Sequence, residues 1–308
     1  MTKNKNTEID LVITGTVAID NIKTDEYEMP NLLGGAATYA SIAASKFCNP
    51  AIVSITGTDF PNQHIDLLHS HNIDTRGIKQ SEGKTFFWSG SYTGDMDEAT
   101  TLDTQLNVLM KFKPEIPEFY RSAKTIMLGN LDPSLQLDIL EKNKNVTLSA
   151  CDTMNFWIIN AFETLKKVLS KVDIIFINEK EASMFTKEII LKNAADKLLS
   201  LGAKYVVIKK GKHGAAVFGK DGDIFFVPSY PLNAVIDPTG AGDSFAGAFM
   251  GYLSKKSDID FSHIKKALIY GTAVASHTIS DFSVKELSAV TIEEIEKRSK
   301  DLMKTFIL

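Results

Sequence analysis

Short runs dense in β-branched and aliphatic residues recur along this chain, with helix-period segments between them. The runs Ile9–Gly15, Ala51–Thr56, Thr125–Leu128, Val146–Ser149, Val172–Ile177 and Tyr205–Lys209 predict buried strands. Segments Ala36–Phe47, Asn62–His71, Phe162–Ser170 and Ala194–Leu201 carry apolar positions at helical spacing. Two long helices are expected towards the end, one opening at Asp243 and one over His263–Ile279, followed by a charged helix at Ile292–Met303. Strands separated by helices pair in parallel through right-handed crossovers, with helices on both faces of the sheet. The pattern therefore predicts an α/β fold.

Two segments break the rhythm. Ile19–Leu33 has no helical period, and in Lys84–Thr101 the residues Thr85, Phe87 and Ser89 alternate with Phe86, Trp88 and Gly90 before a turn at Gly94–Asp95. Such alternation predicts exposed antiparallel strands. The two segments would meet as a small sheet over one end of the core, either as a lid or as a surface decoration. The acidic tip of Asp95, Asp97 and Glu98 reads as a solvated hairpin end. With no internal repeat and no flexible linker, the reading is a single domain over residues 1–308 with an inserted flap.

Composition narrows the function classes. Across 308 residues, 44% hydrophobic and 23% charged is the balance of a globular protein. A net charge of -4 argues against a nucleic-acid partner, which needs a basic face. Two cysteines, Cys48 and Cys151, supply neither a disulfide framework nor a metal cage. No apolar run reaches the ~20 residues that cross a bilayer, and Met1–Asp10 is polar, unlike a signal peptide. The expectation is a cytoplasmic protein with no membrane partner.

The densest chemistry lies in Val235-Ile236-Asp237-Pro238-Thr239-Gly240-Ala241-Gly242-Asp243-Ser244-Phe245-Ala246-Gly247. A strand-like approach ends at Pro238, which cannot continue a ladder. Gly240 and Gly242 then permit positive φ and a close ligand, and a helix starts with Asp243 at or beside its N-cap. Amides that point out of such a turn form an anion site. A carboxylate among those donors would compete with a bound anion unless it acts on the anion's reaction partner. Phosphoryl transfer accounts for the set: the amides of Gly240, Ala241, Gly242 and Asp243 hold the phosphoryl group, and the Asp243 carboxylate takes the proton of the attacking hydroxyl. The helix terminus is expected to keep Asp243 a weak base, which a loose transition state tolerates. An Asp-capped helix after a glycine turn is the plain alternative; it leaves the glycine pair, Asp237 and Thr239 unexplained.

Asp237–Gly247 resembles the C-terminal signature of the PfkB (ribokinase-like) carbohydrate and nucleoside kinases. Leu33-Gly34-Gly35-Ala36-Ala37-Thr38-Tyr39-Ala40 resembles that family's Gly-Gly opening of an alanine-rich helix. The likeness spans nearly the whole chain. It implies a ribokinase-like three-layer α/β/α sandwich with a mostly parallel central sheet and a small β lid formed by about 19–33 and 84–101. It also implies ATP and Mg²⁺, with K⁺ as a candidate, and a homodimer paired through the lid. The activity implied is transfer of the ATP γ-phosphoryl group to a hydroxyl of a sugar, with a nucleoside or an inositol as alternative acceptors. A non-catalytic nucleotide-binding regulator is the rival from another class.

Residue by residue, the resemblance gives Asp20, Gly34 and Gly35 to the acceptor, with Asp152, Asn155 and Asn130 as further candidates at strand ends. Tyr39 stands where ribokinase-type sugar kinases carry Asn. Tyr39, Phe87 and Trp88 would stack on a base or simply pack the lid. Asn178 and Glu181 are assigned to the phosphates and to Mg²⁺ through water, although the pair alone reads equally as a capping box. Lys209, Gly211 and Gly214 are assigned to the nucleotide, with a hairpin turn as the competing account. Ala273, Ser276 and His277 fall where relatives bind adenine, although small residues also serve helix contacts. Asp237 and Thr239 are the cation-side residues. No Gly-x-x-x-x-Gly-Lys-Ser/Thr is present, which excludes a P-loop kinase, and no Gly-x-Gly-x-x-Gly follows Ile9–Gly15, which argues against a dinucleotide oxidoreductase.

Overall fold

The computed structural model describes residues 8–306 apart from 95, 97 and 98, so the acidic tip Asp95, Asp97 and Glu98 lies outside the described residues. The strands are β1 Leu11–Thr14, β2 Ala18–Lys23, β3 Glu28–Gly34, β4 Pro50–Gly57, β5 Asp74–Ser81, β6 Phe86–Ser91 and β7 Thr100–Gln105. They continue with β8 Thr125–Leu128, β9 Leu148–Asp152, β10 Ile174–Asn178, β11 Tyr205–Lys209, β12 Ala215–Gly219 and β13 Ile224–Val227. The helices are α1 Ala36–Ala44, α2 Asn62–Ser70, α3 Pro133–Lys142, α4 Asn155–Asn160, α5 Phe162–Leu169 and α6 Glu179–Thr186. After these come α7 Leu191–Leu199, α8 Ala241–Leu253, α9 Phe261–Thr278, α10 Lys285–Ala289 and α11 Ile292–Lys304.

Among the described residues a nine-stranded sheet runs β13-β12-β11-β10-β9-β8-β1-β4-β5, parallel from β11 through β5 and closed by the antiparallel pair β12–β13. Successive strand residues enter opposite layers, as the pleat requires. Leu11 and Ile13 pack into one core and Val12 into the other. Ile174 and Phe176 likewise oppose Ile175 and Ile177. That double burial explains why these strands read as unbroken apolar runs, and it makes the fold a three-layer α/β/α sandwich.

The Asp243 helix, α8, is buried on nearly every side from Ser244 to Leu253. Its small residues let it lie directly on α1. A Cβ at Gly247 would collide with the Ala40 backbone, so only glycine permits this approach. The two helices pack tightly, and their N-termini open at the carboxyl ends of the strands, where open α/β sheets bind ligands. β3, β2, β6 and β7 form a separate four-stranded sheet, with β2–β3 and β6–β7 antiparallel and β2–β6 parallel. It stands over that same end of the core. No helix among the described residues is long and apolar enough to cross a membrane.

Candidate active site

The turn before α8 is shaped by glycine. Gly240 caps the helix in the left-handed region at φ 74°, and a side chain there would run into the Tyr39 ring, which lies beneath the turn. Tyr39 is therefore a floor for the turn: it is fully buried, and its hydroxyl bonds Ser283. Ala241, Gly242 and Asp243 form the first helical turn; the Ala241 N–H donates to Pro238 O (3.2 Å), and the Gly242 and Asp243 N–H groups have no partner inside the helix. Asp243 stands third in the helix, where it makes no capping bond.

Its carboxyl is also no weak base. Burial first, and then the Asp152 charge, push the Asp243 pKa up to about 7, against the lowering effect of Lys209. The expectation of a depressed value is thus reversed, because desolvation disfavours the charged carboxylate. A base with a pKa near neutrality suits proton acceptance at physiological pH.

Opposite the turn, Lys209 at the end of β11 pairs with Asp152 at the end of β9, with Nζ to Oδ2 at 2.7 Å. Burial opposes the Lys209 charge, but Asp152, Glu181 and Asp243 outweigh it and hold its pKa above the ordinary value. A Cβ at Gly242 would sit 3.0 Å from the Lys209 ammonium, so the cation faces the turn directly. Asn178 and Glu181 form a full capping box at the start of α6, each bonding the other's backbone N–H (2.8 and 3.0 Å). The capping-box reading of that pair holds, and the capped Glu181 lies close enough to Lys209 for their charges to interact. Burial drives Glu181 up to about 7, against Lys209 and the Asn178 and Asn155 N–H groups. Asn155 opens α4 with an exposed side chain.

Asp20 projects from β2, and the backbone of Gly34 lies against its carboxylate. Burial, then Asp237 and Asp243, raise its pKa to about 8, while the Gly35 N–H acts in the opposite sense. Asp237 is wholly buried, and its two oxygens accept from Thr239 N–H and Ser283 N–H at 2.9 Å each. The Lys210–Gly214 turn links β11 to β12 as a hairpin, with Gly211 exposed on open space and Gly214 tight against Val227 and Pro228.

Other expected site residues have partners within the protein. Asn130 is spent on Trp157 Nε1 (2.8 Å) and on Met154 Sδ (3.0 Å). Ala273 is core; the Ser276 hydroxyl donates to Ala273 O and accepts from Arg298; His277 is buried against Glu286 at 3.3 Å. The small residues of α9 serve its contacts with α8 and α11. Phe87 pairs with Ile19 and so lies on the opposite face of the lid from Asp20. Trp88 pairs with Asp20 itself and shares its face. Two residues of the site, Tyr92 and Ser283, carried no signal in the sequence: each is a lone hydroxyl whose place depends on tertiary contact.

The whole arrangement sets the N-terminus of α8 beside the Asp243 carboxyl, with Lys209 across from it and a second carboxyl, Asp20, on the small sheet. Comparison with known proteins agrees. The family model described as pfkB family carbohydrate kinase matches residues 9–290. A cytidine kinase of Thermococcus kodakarensis is 34% identical over 256 residues, covering 80% of this chain and 89% of that protein. A 5-dehydro-2-deoxygluconokinase of Listeria monocytogenes is 28% identical, covering 96% and 97%. The crystal structure of a Methanocaldococcus jannaschii nucleoside kinase, an archaeal member of the ribokinase family, shares the fold with a TM-score of 0.77 at 19% identity, covering 96% and 99%. With the family match over nearly the whole chain and the layered sheet in agreement, the chain belongs to the PfkB family and is a kinase, transferring a phosphoryl group to an alcohol.

Proposed function

We propose that the protein phosphorylates a hydroxyl of a nucleoside, with ATP as donor. The observation that carries this is the register of the lid. Trp88 is the direct cross-strand partner of Asp20 and shares its face, with its ring lying over Gly90 and its Nε1 donating to Thr101 Oγ1 (3.3 Å) on β7, so turning the indole towards an acceptor held by Asp20 costs that one exposed bond. A carboxylate accepts from two neighbouring ribose hydroxyls, and an indole stacks on a base. The 34% identical cytidine kinase supports the same choice.

The chain's residues would divide the work as follows. Asp20 and Trp88 orient the acceptor with its free hydroxyl towards Asp243. Asp243 takes the hydroxyl proton as that oxygen bonds the γ-phosphorus and the bond to the bridging oxygen of ADP breaks. The Gly240–Asp243 amides hold the transferring group, and Lys209 balances its charge. Mg²⁺ would neutralise the phosphate tail. The residues fit it as a water-bound ion, since Glu181 and Asn178 present oxygens at a strand end and no cluster of three ligating side chains occurs among the described residues. Asp237 keeps lone pairs beyond its two N–H partners, which supports K⁺ beside Thr239; replacing K⁺ by tetramethylammonium should then lower kcat. Fully exposed β7, with Leu102 at 56%, supports a homodimer joined through the lid; sedimentation should detect it.

A sugar acceptor is the second reading. Asp20 with Gly34 and Gly35 would hold a polyol equally well, and the 5-dehydro-2-deoxygluconokinase likeness favours it. An acceptor-dependent ADP-release screen over nucleosides, pentoses, hexoses and inositols separates the two. A nucleoside should give the highest kcat/KM, and Trp88→Ala should raise its KM about 10-fold with little change in kcat. A free sugar turned over best, with Trp88→Ala silent, would reject the nucleoside and leave the kinase.

A further inference from the structure

The lid and the anion turn are joined by one chain of hydrogen bonds that phosphoryl transfer itself does not use. Tyr92 follows β6, and its N–H donates to Lys23 O at the end of β2 (2.8 Å). Its side chain is buried, at 7% exposure, and its hydroxyl accepts from the Thr239 hydroxyl at 3.1 Å. Thr239 N–H donates to one oxygen of Asp237, and Ser283 N–H donates to the other. The Ser283 hydroxyl then returns to the lid, donating to Leu33 O of β3 at 2.5 Å. The circuit therefore begins and ends in the lid, and it passes through Asp237–Thr239, the three residues immediately before Gly240.

The contact is a specific one. The segment 92–94 stays bonded to the small sheet, through Tyr92 N–H to Lys23 O and Gly94 N–H to Asp25 Oδ2 (3.2 Å), while the Tyr92 side chain brings one hydroxyl to the turn. Burial, with the Asp237, Asp20 and Asp243 charges around it, holds the Tyr92 pKa well above its ordinary range, so the phenol stays protonated while it accepts from Thr239. Tyr39 joins the same circuit from below, with its ring under Gly240 and its hydroxyl on Ser283. A shift of the lid away from the core would break the Tyr92–Thr239 bond first, since it is the side-chain contact between a lid-borne segment and the turn.

We propose that Tyr92 is a positioning residue that couples the seating of the lid to the geometry of the anion turn, so that the Gly240–Asp243 amides are aligned for transfer only while the lid covers an acceptor. ATP bound without an acceptor would then meet a misaligned cradle, which suppresses transfer to water. The proposal rests on the reading of Gly240–Asp243 as the phosphoryl site, but not on the identity of the acceptor.

Tyr92→Phe removes the hydroxyl and keeps the ring. The expected result is a kcat about 10-fold lower with KM for ATP within twofold of wild type, and a several-fold rise in the ratio of acceptor-independent ADP release to phosphorylated product. Thr239→Val should do the same, and the double variant should be no worse than the weaker single variant, because both remove one bond. Ser283→Ala cuts the circuit at its other end and should also raise the ratio; it carries the test if Tyr92→Phe does not fold. Wild-type kcat and ratio in Tyr92→Phe, or fully additive losses in the double variant, would overturn the coupling. If Asp243→Asn kept its turnover, the phosphoryl-site reading would fail instead; an inactive Asp243→Asn beside a wild-type-like Tyr92→Phe would reject the coupling alone.

Discussion

Three carboxyls decide how this site behaves with pH. Asp20 at about 8, Asp243 at about 7 and Glu181 at about 7 are all pushed up, by burial first. A carboxyl whose folded pKa exceeds its unfolded value stabilises the fold while protonated. That contribution is complete below about pH 4 and is lost as pH rises through the folded value. Between about pH 4 and pH 8 the free protein should therefore lose stability at these positions. Asp20→Asn should raise Tm by several degrees at pH 8 and by little at pH 4, while weakening acceptor binding; thermal scans at the two pH values test this, and an equal shift at both would contradict it. For catalysis the sign is opposite, because the base works deprotonated. The acid limb of kcat should lie near pH 7, and Asp152→Asn should move it lower, since Asp152 raises the Asp243 pKa and restrains Lys209.

At the scale of elements, the site depends on how closely α8 lies on α1. Gly247→Ala would force the two helices apart at the Ala40 backbone, costing about 1–3 kcal/mol. Because Asp243 opens α8, kcat should fall together with Tm; a variant with lowered Tm and unchanged kcat would show that the helix contact does not position the base. Much at this scale was legible in the sequence. The buried strands stand out because both faces are covered, and the glycine turn into α8 stands out because a bare backbone has a sequence cost. β5 escaped because Asp74, Arg76, Lys79 and Gln80 give an edge strand no apolar alternation. The adenine-side assignment of Ala273, Ser276 and His277 rests on the family resemblance alone, because small residues in a long helix serve packing and ligand approach alike. Tyr92 and Ser283 could not be found, since a hydroxyl at the end of a circuit has no local pattern.

For the molecule as a whole, the proposed function draws the phosphoryl site from the helix N-terminus on the central sheet and the acceptor's carboxylate from the separate small sheet. Chemistry should therefore require the sheet over the core. The most direct measurement is acceptor-dependent ADP release by Asp243→Asn, alongside ATP binding by calorimetry. The account predicts a normally folded protein that binds ATP as the wild type does and loses kcat by about 10²- to 10⁴-fold. Turnover within a few-fold of wild type would mean that the proton leaves by another route and that Asp243 is not the base.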